Sequence, residues 1–153
     1  MRIIEIDAAN WNTVLDFCHA LLAAIGAPEV HGMSPDAFVD SMIWGGMNSA
    51  EPPYAVLVSG LAAAPKEVRD YVELVKEALW EGRVYRKRHN GDDVEVSIEI
   101  ARADDGIEFN AQEARVHNAT EIARIEYEGP DPKVRATIDM LRRKLKLGPL
   151  PEQ

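Results

Sequence analysis

Hydrophobic and polar positions along this chain change period several times, and each change marks an element. The run "RIIEI" (2–6) is short and β-branched, which predicts a strand. In "ANWNTVLDFCHALLAAIG", Trp11, Val14, Leu15, Cys18, Leu21, Leu22 and Ile25 recur at helical spacing, and Gly26 stands where a C-terminal cap belongs. A loop through Pro28 and Gly32 leads to Ser34-Pro35-Asp36, an N-cap, a first-turn proline and an acid, so a helix is expected over 34–43 with Phe38 and Met42 inward. "YAVLVSG" (54–60) is continuously apolar, as for a strand covered on both faces. Pro65 opens a helix whose stripe is Val68, Tyr71, Val72, Val75 and Leu79, with Gly82 at its end.

Beyond Gly82 the pattern shifts. The basic stretch "RVYRKRHNGDD" (83–93), with its Asn-Gly pair, is expected to be a turn. "VEVSIEI" (94–100) alternates with period two, predicting a strand with one wet face. A hairpin turn is expected at 102–106, a strand at "IEFN" (107–110) and a further strand at "IARIEYE" (122–128). Pro130 or Pro132 then opens a last helix with Val134, Ile138, Leu141, Leu145 and Leu147 on its apolar side. The fold class expected is α/β: a small parallel sheet with packed helices, enlarged by C-terminal β-β-α elements with antiparallel character.

The chain has 153 residues and 46% hydrophobic residues, enough for one domain with a real core. Its net charge of -9 is uneven: residues 1–82 hold 4 Lys and Arg against 12 Asp and Glu, and residues 83–153 hold 13 against 14. An acidic surface of this kind repels nucleic acid and anionic membrane and attracts basic proteins. The N-terminal "MRIIEIDAAN" has no secretory pattern and Cys18 is the single cysteine, so a reducing cytoplasm is the expectation.

Catalytic motifs do not emerge. There is no Gly-rich phosphate loop, no Gly-x-Ser-x-Gly and no cysteine pair for zinc, and His19, His31, His89 and His117 are scattered. No cofactor is expected, and the chain reads as a non-enzyme. An acid–base enzyme would require a concave pocket gathering His31, Asp36 and Asp40. Asp36 and Asp40 lie four residues apart on one helix face, where like charges cost a few tenths of a kcal/mol. Asp36 alone is also an ordinary helix-dipole complement, as are the basic residues of "RRKLK" (142–146) at the other end of a helix.

"GAPEVHGMSPDAFVDSM" resembles the helix-and-loop signature of the barstar family, small intracellular inhibitors of ribonucleases such as barnase. The resemblance spans roughly residues 1–82 and one following strand. It rests on Pro28, Glu29 and Gly32 of the loop, on Asp36, Ala37 and Asp40 of the helix, and on "EPPYAVLVSG" and "VKEALWEG" further on. It implies a barstar-like domain over 1–100 with an extension over 101–153. It also implies that Asp40 enters a ribonuclease active site in place of a substrate phosphate, that Asp36 supports it, and that Glu77 meets a basic residue of the enzyme. The partner-binding set is then Asp36, Asp40 and Glu77 with Val30, His31, Gly32, Val39 and Trp44. The sequence departs from the family pattern at Val30 and Val39, where aromatics are usual, and at Ser34-Pro35, where Asn-Leu is usual. The alternative is a barstar-like structural or interaction module without inhibitor activity, in which the extension makes a dimer interface or meets a different toxin.

Overall fold

The computed structural model describes residues 1–102 and 108–146. The elements in order are β1 (Arg2–Asp7), α1 (Val14–Ile25), α2 (Pro35–Val39), β2 (Tyr54–Ser59), α3 (Lys66–Asn90), β3 (Val96–Ile100), α4 (Ala111–Glu128) and α5 (Pro132–Lys146). The fold is α/β, with one parallel sheet of three strands in the order β1-β2-β3. Its register pairs Ile4 with Val56 and Val56 with Ile98 across the three strands.

The central strand β2 is buried along nearly its whole length, as its unbroken apolar run requires. Helix α1 starts at a Thr13–Asp16 capping box and stops at Gly26, whose φ of 64° is the left-handed conformation of a helix end. It buries Phe17, Cys18, Leu21 and Ile25 against the main core. Phe38 and Met42 are buried as expected. The acidic helix, however, is α-helical only to Val39 and continues through a π-helical turn at Asp40–Trp44.

Four expectations are corrected. The basic stretch 83–93 is not a turn: α3 continues to Asn90 and ends on Gly91 with φ +83°. Its cations find acids, Arg83 with Asp93 at 2.8 Å, Arg86 with Asp92 at 2.9 Å and Lys87 with Glu126 at 3.2 Å. Second, β3 has no wet face. Ser97 and Glu99 are buried, and Glu99 accepts a bond from Asn118 Nδ2 at 2.7 Å while Asn118 Oδ1 accepts one from Trp80 Nε1 at 2.7 Å. Third, no antiparallel edge is found among the described residues, since β1 and β3 both run parallel to β2. Fourth, the β-β-α extension is absent among the described residues. Residues 122–128 belong to α4, which is capped by Asn110 accepting from the Glu113 amide at 3.0 Å. Ile122 and Ile125, three apart as on one helix face, pack on Trp80 and Val84 of α3, whereas Ile125 and Tyr127, two apart, read as alternation. Residues 108–110 form no strand; the expected hairpin turn falls largely, with the start of that strand, on 103–107, outside the described residues. Leu147 and the Leu145 side chain also lie outside them.

Three apolar clusters meet on α3: the main core on the sheet side, Trp80 and Val84 against α4, and Leu74 and Ala78 against Ile138 of α5. No helix among the described residues is long and apolar enough to cross a membrane.

Gly82 is where α3 meets the acidic helix. A Cβ there would lie 2.7 Å from Val39 Cγ1 and 3.3 Å from Ile43 Cγ1. In an open helix, Gly→Ala gains about 1 kcal/mol. Here the stiff β-branched neighbours make it an overpacking change costing about 1–3 kcal/mol. Gly82→Ala is therefore expected to lower the urea midpoint, and a raised midpoint would refute this packing account.

Candidate functional site: an acidic groove

The loop before α2 is held from inside. The Tyr71 hydroxyl donates to Met33 O at 2.8 Å, and the His31 amide donates to Pro28 O at 3.1 Å. His31 lies over Phe38 with ring centroids 5.3 Å apart. Its Nδ1 donates to the Gly32 carbonyl, which fixes the ring so that Nε2 faces Ser41 Oγ at 2.6 Å. Ser34 then caps α2 by accepting from the Ala37 amide at 3.1 Å, and Pro35 fills the first turn. With Phe38 and Met42 turned inward, Asp36 and Asp40 project outward.

The two aspartates differ in their surroundings. Asp36, on the side of the helix opposite Phe38 and Met42, is not exposed but half-buried, and its carboxylate accepts from Arg142 Nε of α5. Helix α5 lies beside α2 and brings the guanidinium in. Asp40 is exposed and makes no salt bridge among the described residues. Its carboxyl is held above the usual range by partial burial and by the charge of Asp36, with Arg142 and His31 opposing. Glu77 on α3 is likewise raised, first by burial and then by Asp131, Glu73 and Glu81, with Arg124 opposing. Glu81 is raised by burial against the pull of Arg135, which reaches it at 2.5 Å from α5.

Asp36, Asp40 and Glu77 border one groove of about 1880 Å³ between α1, α2, α3 and α5, and Glu81 lies outside it. Of the sequence-predicted residues, Val30, His31, Gly32, Asp36, Asp40 and Glu77 all line it. Val39 and Trp44 do not. Val39 is packed against α3 at Gly82 and the Leu74–Ile138 cluster. Trp44 is exposed at a separate depression, under the Arg86 guanidinium at 5.3 Å and edge-on to Tyr85. Sequence reasoning missed Arg135 and Arg142. Their signal was the stripe Val134, Ile138, Leu141 flanked by arginines seven residues apart.

The groove gathers His31, Asp36 and Asp40, the arrangement an acid–base enzyme would require. The chemistry does not follow. Both His31 nitrogens are engaged inward, and Ser41 is only 3% exposed and does not line the groove. Asp36 is neutralised by Arg142. Cys18 borders the groove, but burial pushes its thiol up to about 12, so it is a protonated packing group. Among the described residues no group of three His, Cys, Asp or Glu side chains is placed to hold a metal ion.

No protein-family model matches the chain, and no curated protein matches it.

The raised carboxyls of Asp40 and Glu77 have a thermodynamic sign. Each binds its proton more tightly in the folded chain, so the stability it contributes is complete below the ordinary carboxylate range and is lost as pH rises through the raised value. The pair Asp40→Asn and Glu77→Gln is expected to resist urea better than the parent at neutral pH. That advantage should vanish in acid, and a gain independent of pH would contradict this electrostatic origin.

Proposed function

We propose that the chain is a barstar-like, non-catalytic cytoplasmic inhibitor or immunity protein that blocks a basic ribonuclease by presenting its acidic helix to the enzyme's active site. One observation carries this reading. Six of the eight residues assigned to partner binding from the resemblance share one groove, with Asp40 and Glu77 on its border and unpaired among the described residues. Two carboxylates short of cations are matched by Arg, Lys or His clusters, which supply charge-assisted hydrogen bonds. The parallel sheet with α1, α2 and α3 agrees with the small sheet and packed helices that the resemblance implies. In this reading Asp40 stands in for a substrate phosphate, Glu77 meets a second cation, and the loop at Val30–Gly32 frames the contact. Residues 1–100 form the barstar-like part, and α4 and α5 are additions packed on α3.

A second reading, a barstar-like interaction module without inhibitor activity, is favoured by α5. Arg142 already occupies Asp36, and Val39 is a packing residue in place of an aromatic anchor.

Calorimetric titration into a catalytically disabled barnase-type ribonuclease, at low and moderate salt, separates the two. Inhibitor function predicts binding that weakens with salt and that Asp40→Ala lowers by about tenfold or more. Absence of binding, or binding indifferent to Asp40→Ala, would reject the inhibitor reading and leave the module.

A further inference from the structure

The groove holds more than carboxylates. Its floor is apolar, built from Val14, Leu15, Met33, Tyr71, Leu74 and Leu141. Large hydrophobic side chains are left exposed along it: Leu15 at 51%, Met47 at 49% and Val30 at 83%. Exposed apolar side chains collected in one concavity mark an interaction surface. Size decides what kind. Small-molecule pockets are about 300–1,000 Å³, and this groove of about 1880 Å³ suits a length of polypeptide.

Charge decides the sign of the occupant. Asp40, Glu67, Glu73 and Glu77 border the groove without a salt bridge among the described residues, while Asp70 is taken by Lys66 and Asp36 by Arg142. The fold itself supplies a precedent. Helix α5 lies on one flank with Ile138 sunk among Leu74 and Ala78, and with Arg135 and Arg142 on Glu81 and Asp36. A helix with an apolar stripe and cationic flanks is thus already accommodated by this surface, and the same chemistry continues past α5.

We infer that the groove binds an amphipathic helix of a partner protein, its apolar stripe on Leu15, Met33 and Leu74 and its Lys or Arg flanks on Asp40, Glu73 and Glu77. The inference rests on the acidic-face reading for the sign of the partner's charge, but not for the partner being a nuclease. It adds an apolar component that active-site blocking by carboxylates does not need.

The test is fluorescence anisotropy with a labelled Leu/Lys helical peptide of about 14 residues, or four turns. Controls are a scrambled peptide of the same composition and a Leu/Glu counterpart. Leu15 and Glu73 are exposed, so Leu15→Asp and Glu73→Lys leave the core intact, and thermal melts of both verify this. The proposal expects binding of the amphipathic peptide alone, weakened about tenfold or more by Leu15→Asp and several-fold by Glu73→Lys. Equal binding of the scrambled peptide, or indifference to Leu15→Asp, would reduce the effect to charge attraction and overturn it. Self-association in sedimentation that Leu15→Asp abolishes, without peptide binding, would assign the groove to a second copy and also overturn it. Ribonuclease binding sensitive to Asp40→Ala but not to Leu15→Asp, with no peptide binding, sinks the groove and keeps the inhibitor. Peptide binding without ribonuclease binding does the reverse.

Discussion

The structure depends on α3 being apolar on three sides. Val68, Val72, Val75 and Leu79 bind it to the sheet core, Leu74 and Ala78 to α5, and Trp80 and Val84 to α4. A 25-residue helix that satisfied only the sheet would leave two faces wet. Its length carries the packing beyond the sheet, and the glycine at position 82 lets the acidic helix approach it. The groove lies where α1, α2 and α5 pack around the same stretch of α3.

Electrostatics on this surface follow from that packing. Glu73, Glu77 and Glu81 recur at four-residue spacing on α3, and Glu77 feels its two neighbours and the linker residue Asp131. Only two arginines of α5 reach in, and they settle on Glu81 and Asp36. Asp40 and Glu77 make no salt bridge among the described residues, and partial burial first, then neighbouring acids, holds both carboxyls above the usual range. A surface optimised for stability alone would pair them, and like charges left together at this spacing are a local cost. That cost is what gives the inhibitor and groove readings their common physical basis.

Much of the first part was legible in the sequence. The α1 stripe ending at Gly26, the unbroken apolar run of β2 and the Ser34-Pro35 start each name an element through local physics alone. Phe38 and Met42 could be placed inside from spacing. The extension was not legible, for a specific reason. Ile125 and Tyr127 read as alternation, whereas Ile122 and Ile125 are the pair that packs on Trp80 and Val84 as a helix face. The buried Ser97, Glu99 and Asn118 read as solvent-facing because hydrogen bonds between distant elements leave no local trace. The Arg142–Asp36 pair joins residues 106 apart. The arginines flanking the α5 stripe mark a helix face but do not name Asp36 as the partner.

Helix α5 is held differently from everything around it. Among its described side chains Ile138, at 1% exposure, is the one fully buried anchor, and its ion pairs with Asp36 and Glu81 are partly open to solvent. One buried isoleucine is worth about 1.5–3 kcal/mol, and an exposed pair about 0–1 kcal/mol. Local opening of α5 therefore needs far less free energy than unfolding α3, and its amides should exchange with solvent ahead of the core. Opening also removes Arg142 from Asp36. Asp36 and Asp40, four residues apart, then stand as like charges without that cation. How negative the acidic face is therefore depends on one thinly anchored helix staying docked.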